Sequence, residues 1–108
     1  MDGMTQVVTD QTFDAEVLAS AHPVLVDYWA ARCVPCRIMR PLIEQAAAQY
    51  AGRLMVVTLD ADENPVAPTR FGVRDFPTFM IFRQGRPVDV RVGSMSRGQL
   101  QAFIEAQL

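Results

Sequence analysis

The spacing of hydrophobic positions along this 108-residue chain changes repeatedly, and each change marks a predicted element. Gln6-Val7-Val8 reads as a short strand. From Asp10 to Ser20, Phe13, Val17 and Leu18 stand at helical spacing and predict a first amphipathic helix, which His22-Pro23 ends. Val24 to Trp29 is β-branched, aromatic and almost continuously apolar, the pattern of a central strand covered on both faces. Asp27 is the polar exception within that run.

From Cys36 to Tyr50, the rows Ile38, Leu42, Ala46 and Met39, Ile43, Ala47 form one wide apolar helix face, and Gly52 offers a stop. Pro41 should kink this helix. Leu54 to Leu59 predicts a second buried strand, followed by a polar turn and a short helical stretch ending at Phe71-Gly72. Thr78 to Phe82 and Val88 to Val92 read as two further strands, joined by Arg83-Gln84-Gly85-Arg86 in an antiparallel hairpin. Ser96 and Gln99 make a capping-box pattern, and Leu100, Phe103, Ile104 and Leu108 give a closing helix its core face. The alternation of strand and helix followed by a hairpin predicts an α/β fold with a mixed sheet.

Composition narrows the class. With 50% apolar residues the chain fits a single domain over 1–108 that buries a core without cross-links. Ten cations, all Arg, are scattered among twelve carboxylates, a balance that argues against nucleic acid or an anionic membrane as partner. The opening Met1-Asp2-Gly3-Met4-Thr5-Gln6 lacks the cationic region and apolar run of a secretory signal, and no apolar stretch reaches membrane-spanning length. The expected location is cytoplasmic. Two cysteines are too few for a disulfide-built scaffold, and their close spacing would restrain little chain entropy. Their proximity points to chemistry.

Cys33-Val34-Pro35-Cys36 falls where the central strand hands over to a helix. The first sulfur should sit at the helix amino end, where unpaired N–H groups and the dipole favour a thiolate. The second, one turn on, can close a disulfide with it, so Cys33 would be the exposed attacker and Cys36 the shielded resolver. Pro35 suits the first turn because its missing N–H has no intrahelical acceptor to lose. A zinc half-site, a static disulfide and two incidental thiols are the bland alternatives. Zinc normally takes four ligands, and His22 is the one further soft donor, so no metal site is expected. Covalent haem attachment would need His where Arg37 stands. A C-x-x-C within a βαβ pattern is read as a redox motif.

Asp27 is either a polar residue on a less buried strand or a carboxylate buried beneath the cysteines. In the second case burial raises its pKa, and it can take the proton from Cys36 as a general base. Asp60-Ala61-Asp62-Glu63-Asn64 superficially looks like a calcium loop, but Pro65 and Phe71 stand where Gly and Glu are needed. It reads as a solvated turn, and His22 as a loop residue.

Val26-Asp27-Tyr28-Trp29-Ala30, the two cysteines, Pro41, Asn64-Pro65, Phe71-Gly72-Val73-Arg74, Phe76-Pro77-Thr78, Phe82, Gly85, Gly93 and the helix from Ser96 to Leu108 together resemble the thioredoxin family from about Val7 to the carboxyl terminus. The resemblance implies the thioredoxin fold, a central mixed β-sheet of about five strands flanked by about four helices. It implies a monomer without a cofactor of its own that reduces protein disulfides, with a thioredoxin reductase as electron donor. It also implies a cis bond before Pro77, where substrate pairs with the backbone at Phe76. Trp29, Arg32, Val34, Pro35, Phe76, Pro77 and Gly93 are the expected substrate contacts.

Three departures from the family pattern involve four positions. Arg32 and Val34 stand where a Trp and a Gly are usual, which removes an aromatic contact and adds a cation and bulk. Thr58 occupies the position where the family often places a Lys near the buried Asp. Asp75 stands before Pro77, where small or apolar residues are common, and its charge opposes that of Arg32. A binding module with incidental redox activity is the competing expectation, favoured by the altered rim and opposed by the intact cysteines. A thiol oxidant would need an oxidising compartment.

Overall fold

The sheet is organised around its most apolar strands. In the computed structural model, which describes residues 4–108, strand β1 (Gln6–Val7) leads to β2 (Val24–Trp29), β3 (Met55–Asp60), β4 (Thr78–Arg83) and β5 (Arg86–Val92). The opening Met1-Asp2-Gly3 lies outside the described residues. The spatial order is β1-β3-β2-β4-β5. β1, β3 and β2 run parallel, whereas β4 and β5 are antiparallel to their neighbours. β2 and β3 are each buried at their first five residues. That agrees with their unbroken apolar runs, since strands flanked in the sheet and covered above and below have no solvent face to mark with polar residues.

On one face, Leu25 of β2 and Phe79 and Ile81 of β4 pack against helix α1 (Val34–Gln49) and helix α3 (Arg97–Glu105) through Met39, Ile43, Phe103 and Ile104. On the other, Val24, Val26 and Tyr28 pack with Met80, Phe82 and Ala67, the last from α2 (Val66–Arg70). Phe13, Phe71 and Phe82 meet there with ring centroids 5.1–5.7 Å apart. Such side chains contribute about 1.5–3 kcal/mol each on burial. Ser96 caps α3 in a reciprocal capping box with Gln99, as the sequence predicts.

Four expectations need correction. The predicted helix from Asp10 to Ser20 is a π-helical turn, Asp14–Leu18, in which Ala19 N–H reaches back to the Asp14 carbonyl. Asp10 is engaged elsewhere: its carboxylate accepts from Val66 N–H at 3.0 Å and Ala67 N–H at 2.8 Å, holding the start of α2. Ile38 is 66% exposed. The inward stripe of α1 is Cys36, Met39, Ile43, Ala46 and Ala47, and Ile38 stands off it. Leu108, beyond the end of α3, is also exposed. The hairpin is tighter than expected: Gln84 and Gly85 make the turn with φ of 52° and 78°, and β5 begins at Arg86. Two successive positive φ values are the geometry that matches strand twist in a two-residue hairpin. α1 also continues through Pro41 to Gln49.

Candidate active site

β2 ends at Trp29 and α1 begins at Val34, so the intervening loop delivers Cys33 to the helix amino end. Cys33 is the N-cap, in extended conformation, and its Sγ accepts from Cys36 N–H at 3.1 Å. Pro35, in the first turn, gives up no intrahelical bond. The loop is held from outside. Ala31 N–H donates to the Asp62 carboxylate at 2.8 Å, Ala61 N–H donates to the Trp29 carbonyl at 2.8 Å, and the Arg37 guanidinium donates to the Ala31 carbonyl at 3.1 Å. The acidic turn at 60–64 therefore anchors the loop that carries the sulfur.

Cys33 and Cys36 form a disulfide, their Cα atoms 5.2 Å apart. Their exposure differs: Cys33 is partly exposed, while Cys36 is 2% exposed. Cys33 lies in an open groove between Arg32, Val34 and Pro35 on one side and Arg74, Asp75 and Phe76 on the other. The Phe76–Pro77 bond is cis, as the resemblance implies. Pro77 is buried, and its carbonyl accepts from Gly93 N–H at 2.8 Å. Of the expected contacts, Arg32, Val34, Pro35 and Phe76 thus line one groove with Cys33. Trp29, Pro77 and Gly93 are not among the residues that line it.

Asp27 is 1% exposed, and its Oδ1 has no hydrogen-bond partner. Of the two readings of this residue, the buried carboxylate is the observed one. Burial pushes its pKa up to about 7, and the Arg40 guanidinium offsets part of that rise. Arg40 lies over Trp29 with Cζ 5.2 Å from the ring centroid, within cation–π range. Sequence reasoning missed Arg40, Arg74 and Asp62. For Arg40 a signal existed, because a residue four after Cys36 shares its helix face. For Asp62 and Arg74 none did, since only the folded loops bring Asp62 to Ala31 and Arg74 to the groove that Cys33 lines.

A thioredoxin family model matches residues 4–106 of the chain. The chain belongs to the thioredoxin family. It is 43% identical over 101 residues to a thioredoxin of Acidithiobacillus ferridurans and 44% identical over 101 residues to one of Pseudomonas aeruginosa, each match covering 94% of both chains. It is 46% identical over 101 residues to thioredoxin 1 of a Nostoc species, again over 94% of both chains. As a member of the thioredoxin family the protein is a thiol–disulfide oxidoreductase of the protein-disulfide reductase type, acting on disulfide substrates and served by a reductase. No helix among the described residues is long and apolar enough to cross a membrane. Nor, among those residues, do three or more His, Cys, Asp or Glu side chains gather as metal ligands.

Proposed function

We propose that Cys33 is the nucleophile, Cys36 the resolving thiol and Asp27 the proton acceptor in reduction of protein disulfides. The observation that carries this reading is the unequal exposure of two bonded sulfurs at one helix amino end. Cys33, as thiolate, attacks one sulfur of a substrate disulfide. A Cys33–substrate bond forms, the substrate S–S bond breaks, and the displaced thiolate takes up a proton. Cys36 then passes its proton to the Asp27 carboxylate and attacks Cys33 Sγ, closing the protein disulfide and expelling the second substrate thiolate, which takes up a proton as Asp27 gives one back to solvent. The substrate gains two electrons and two protons, and the protein dithiol is oxidised. A base with a pKa of about 7 suits that transfer at neutral pH.

Arg32, Val34, Pro35 and Phe76 touch substrate in this reading, Pro77 positions the substrate segment, and Gly93 and Trp29 complete the rim. The protein acts as a single-domain monomer over 1–108 in the cytoplasm, where thiols are kept reduced, with a flavin-containing thioredoxin reductase as donor. Insulin reduction by dithiothreitol tests the assignment. Wild type accelerates it, Cys33→Ser does not, and Cys36→Ser accumulates mixed disulfides through Cys33. Equal trapping by both variants, or trapping through Cys36, would reverse the two roles.

A further inference from the structure

The groups around Asp27 are few and nearly all neutral. It shares a face of β2 with Leu25, which packs against Met39 and Ile43 of α1, and with Trp29, which bears Arg40. Across the sheet it stands opposite Thr58 of β3 and Phe79 of β4. From α1, the turn before Met39 contributes Cys36, and the next residue along is Arg40. The cation at this face is the guanidinium of Arg40, seated on the Trp29 ring, and Cys36 stands one turn before it on α1 as half of the disulfide. Arg40 is itself constrained. Its Nε is buried without a hydrogen-bond partner, and its Cζ lies 5.2 Å from the centroid of the Trp29 ring. A guanidinium keeps its charge when half-buried, and it can stack on a ring while projecting its field sideways.

We propose that Arg40, stacked on Trp29 two residues along the same face of β2, is a positioning residue that favours the charged form of the buried Asp27 carboxylate. The cation comes from the helix above the sheet, while the β3 position opposite Asp27 is the neutral Thr58. Arg40 sits four residues after Cys36, so one helix face carries both the thiol that loses a proton and the charge that prepares its acceptor. The kinetic consequence rests on the reading of Asp27 as that acceptor. With Arg40 in place, Asp27 carries charge at a lower pH, and Cys36 is activated at a lower pH.

The test uses the full chain. In the oxidised protein, where no thiol titrates with it, the Asp27 carboxyl is followed by carbon-13 NMR against pH in wild type, Arg40→Met and Arg40→Lys. Arg40→Met keeps the aliphatic stem on Trp29 and removes the charge; Arg40→Gln replaces it if that variant does not fold. Neutral variants should titrate Asp27 at higher pH, and Arg40→Lys should restore most of the difference. Single-turnover resolution of the insulin mixed disulfide should move its pH profile the same way, slowing several-fold at pH 7, and should be insensitive to Arg40 in an Asp27→Asn background. An unmoved Asp27 titration overturns the inference. So does an equal loss of rate with and without Asp27, because Arg40 would then act on the sulfurs or the fold. A shifted titration with an unchanged resolution profile leaves the coupling standing and removes Asp27 as proton acceptor.

Discussion

The two faces of β2 answer to different demands. Val24, Val26 and Tyr28 point into an apolar layer closed by three interlocking rings, and that layer contains no charge. Leu25, Asp27 and Trp29 alternate with them and run from core to carboxylate to a ring under a guanidinium within five residues of strand. The first face returns stability for every group it buries. On the second, burial of Asp27 opposes folding and, in the proposed mechanism, supplies the proton acceptor near neutral pH. Chemistry here is placed where one strand face meets a helix start, and its cost is confined to that end of the strand.

The apolar face is where the largest stability loss should fall. Phe82 is 1% exposed and meets both Phe13 and Phe71. Phe82→Ala should lower unfolding free energy by about 3–5 kcal/mol in urea titrations. Its insulin-reduction rate per folded molecule should match wild type. A comparable loss of rate at full folding would mean that the two faces are not separable.

Asp27→Asn should act in the opposite direction. The folded pKa of about 7 lies above the ordinary value of 3.8, so between these the folded state keeps a proton that the unfolded chain has lost. Stability therefore falls as pH rises from about 4 to about 7 and stays lower above that. The amide and the protonated acid bury similar polar groups. Asp27→Asn should therefore be near neutral at pH 3 and stabilising by roughly 2–4 kcal/mol at pH 8, while mixed-disulfide release slows. Parallel melts at the two pH values, with single-turnover reduction, check both halves; a gain independent of pH would contradict the buried carboxylate.

The smallest effect belongs to Arg32, which is exposed beside Cys33. Its cation favours the thiolate, so Arg32→Ala should raise the Cys33 pKa and make the protein slightly more reducing. Screening limits the interaction to about 0.2–1 kcal/mol, roughly 5–20 mV for a two-electron couple. Thiolate absorbance against pH and equilibration with glutathione should register both changes, each shrinking as salt is added. A lower Cys33 pKa in the variant would place the Arg32 charge away from the sulfur.

The parts of the molecule that follow one local rule were readable in advance. β2 and β3 announce themselves as unbroken apolar runs, α1 by its inward rows, and α3 by Ser96 and Gln99. Where two distant segments compete for one group, the local pattern misleads. Asp10 belongs to the start of α2 and not to its own helix, and a π turn stands where a longer helix is expected. β5, exposed at nearly every position, has no alternation to mark its start at Arg86. At the site, the cysteines and Asp27 stood out by type and position, and the cis bond at Pro77 followed only from resemblance. The strand position opposite Asp27 holds the neutral Thr58, whereas the cation that acts on it belongs to α1, which no local pattern in β2 or β3 reveals.

The hydrogen bond from Ala31 N–H to the Asp62 carboxylate has a wider implication. The peptide segment ahead of Cys33 is secured through main-chain atoms of Trp29 and Ala31, and none of these anchors uses the side chain of Arg32 or Val34. The bearing of the sulfur and the character of the surface around it are thereby uncoupled. Under the proposed function, residues 32 and 34 are fittings on a mount held by other atoms, so that substitutions there are expected to retune substrate choice without realigning the Cys33 sulfur.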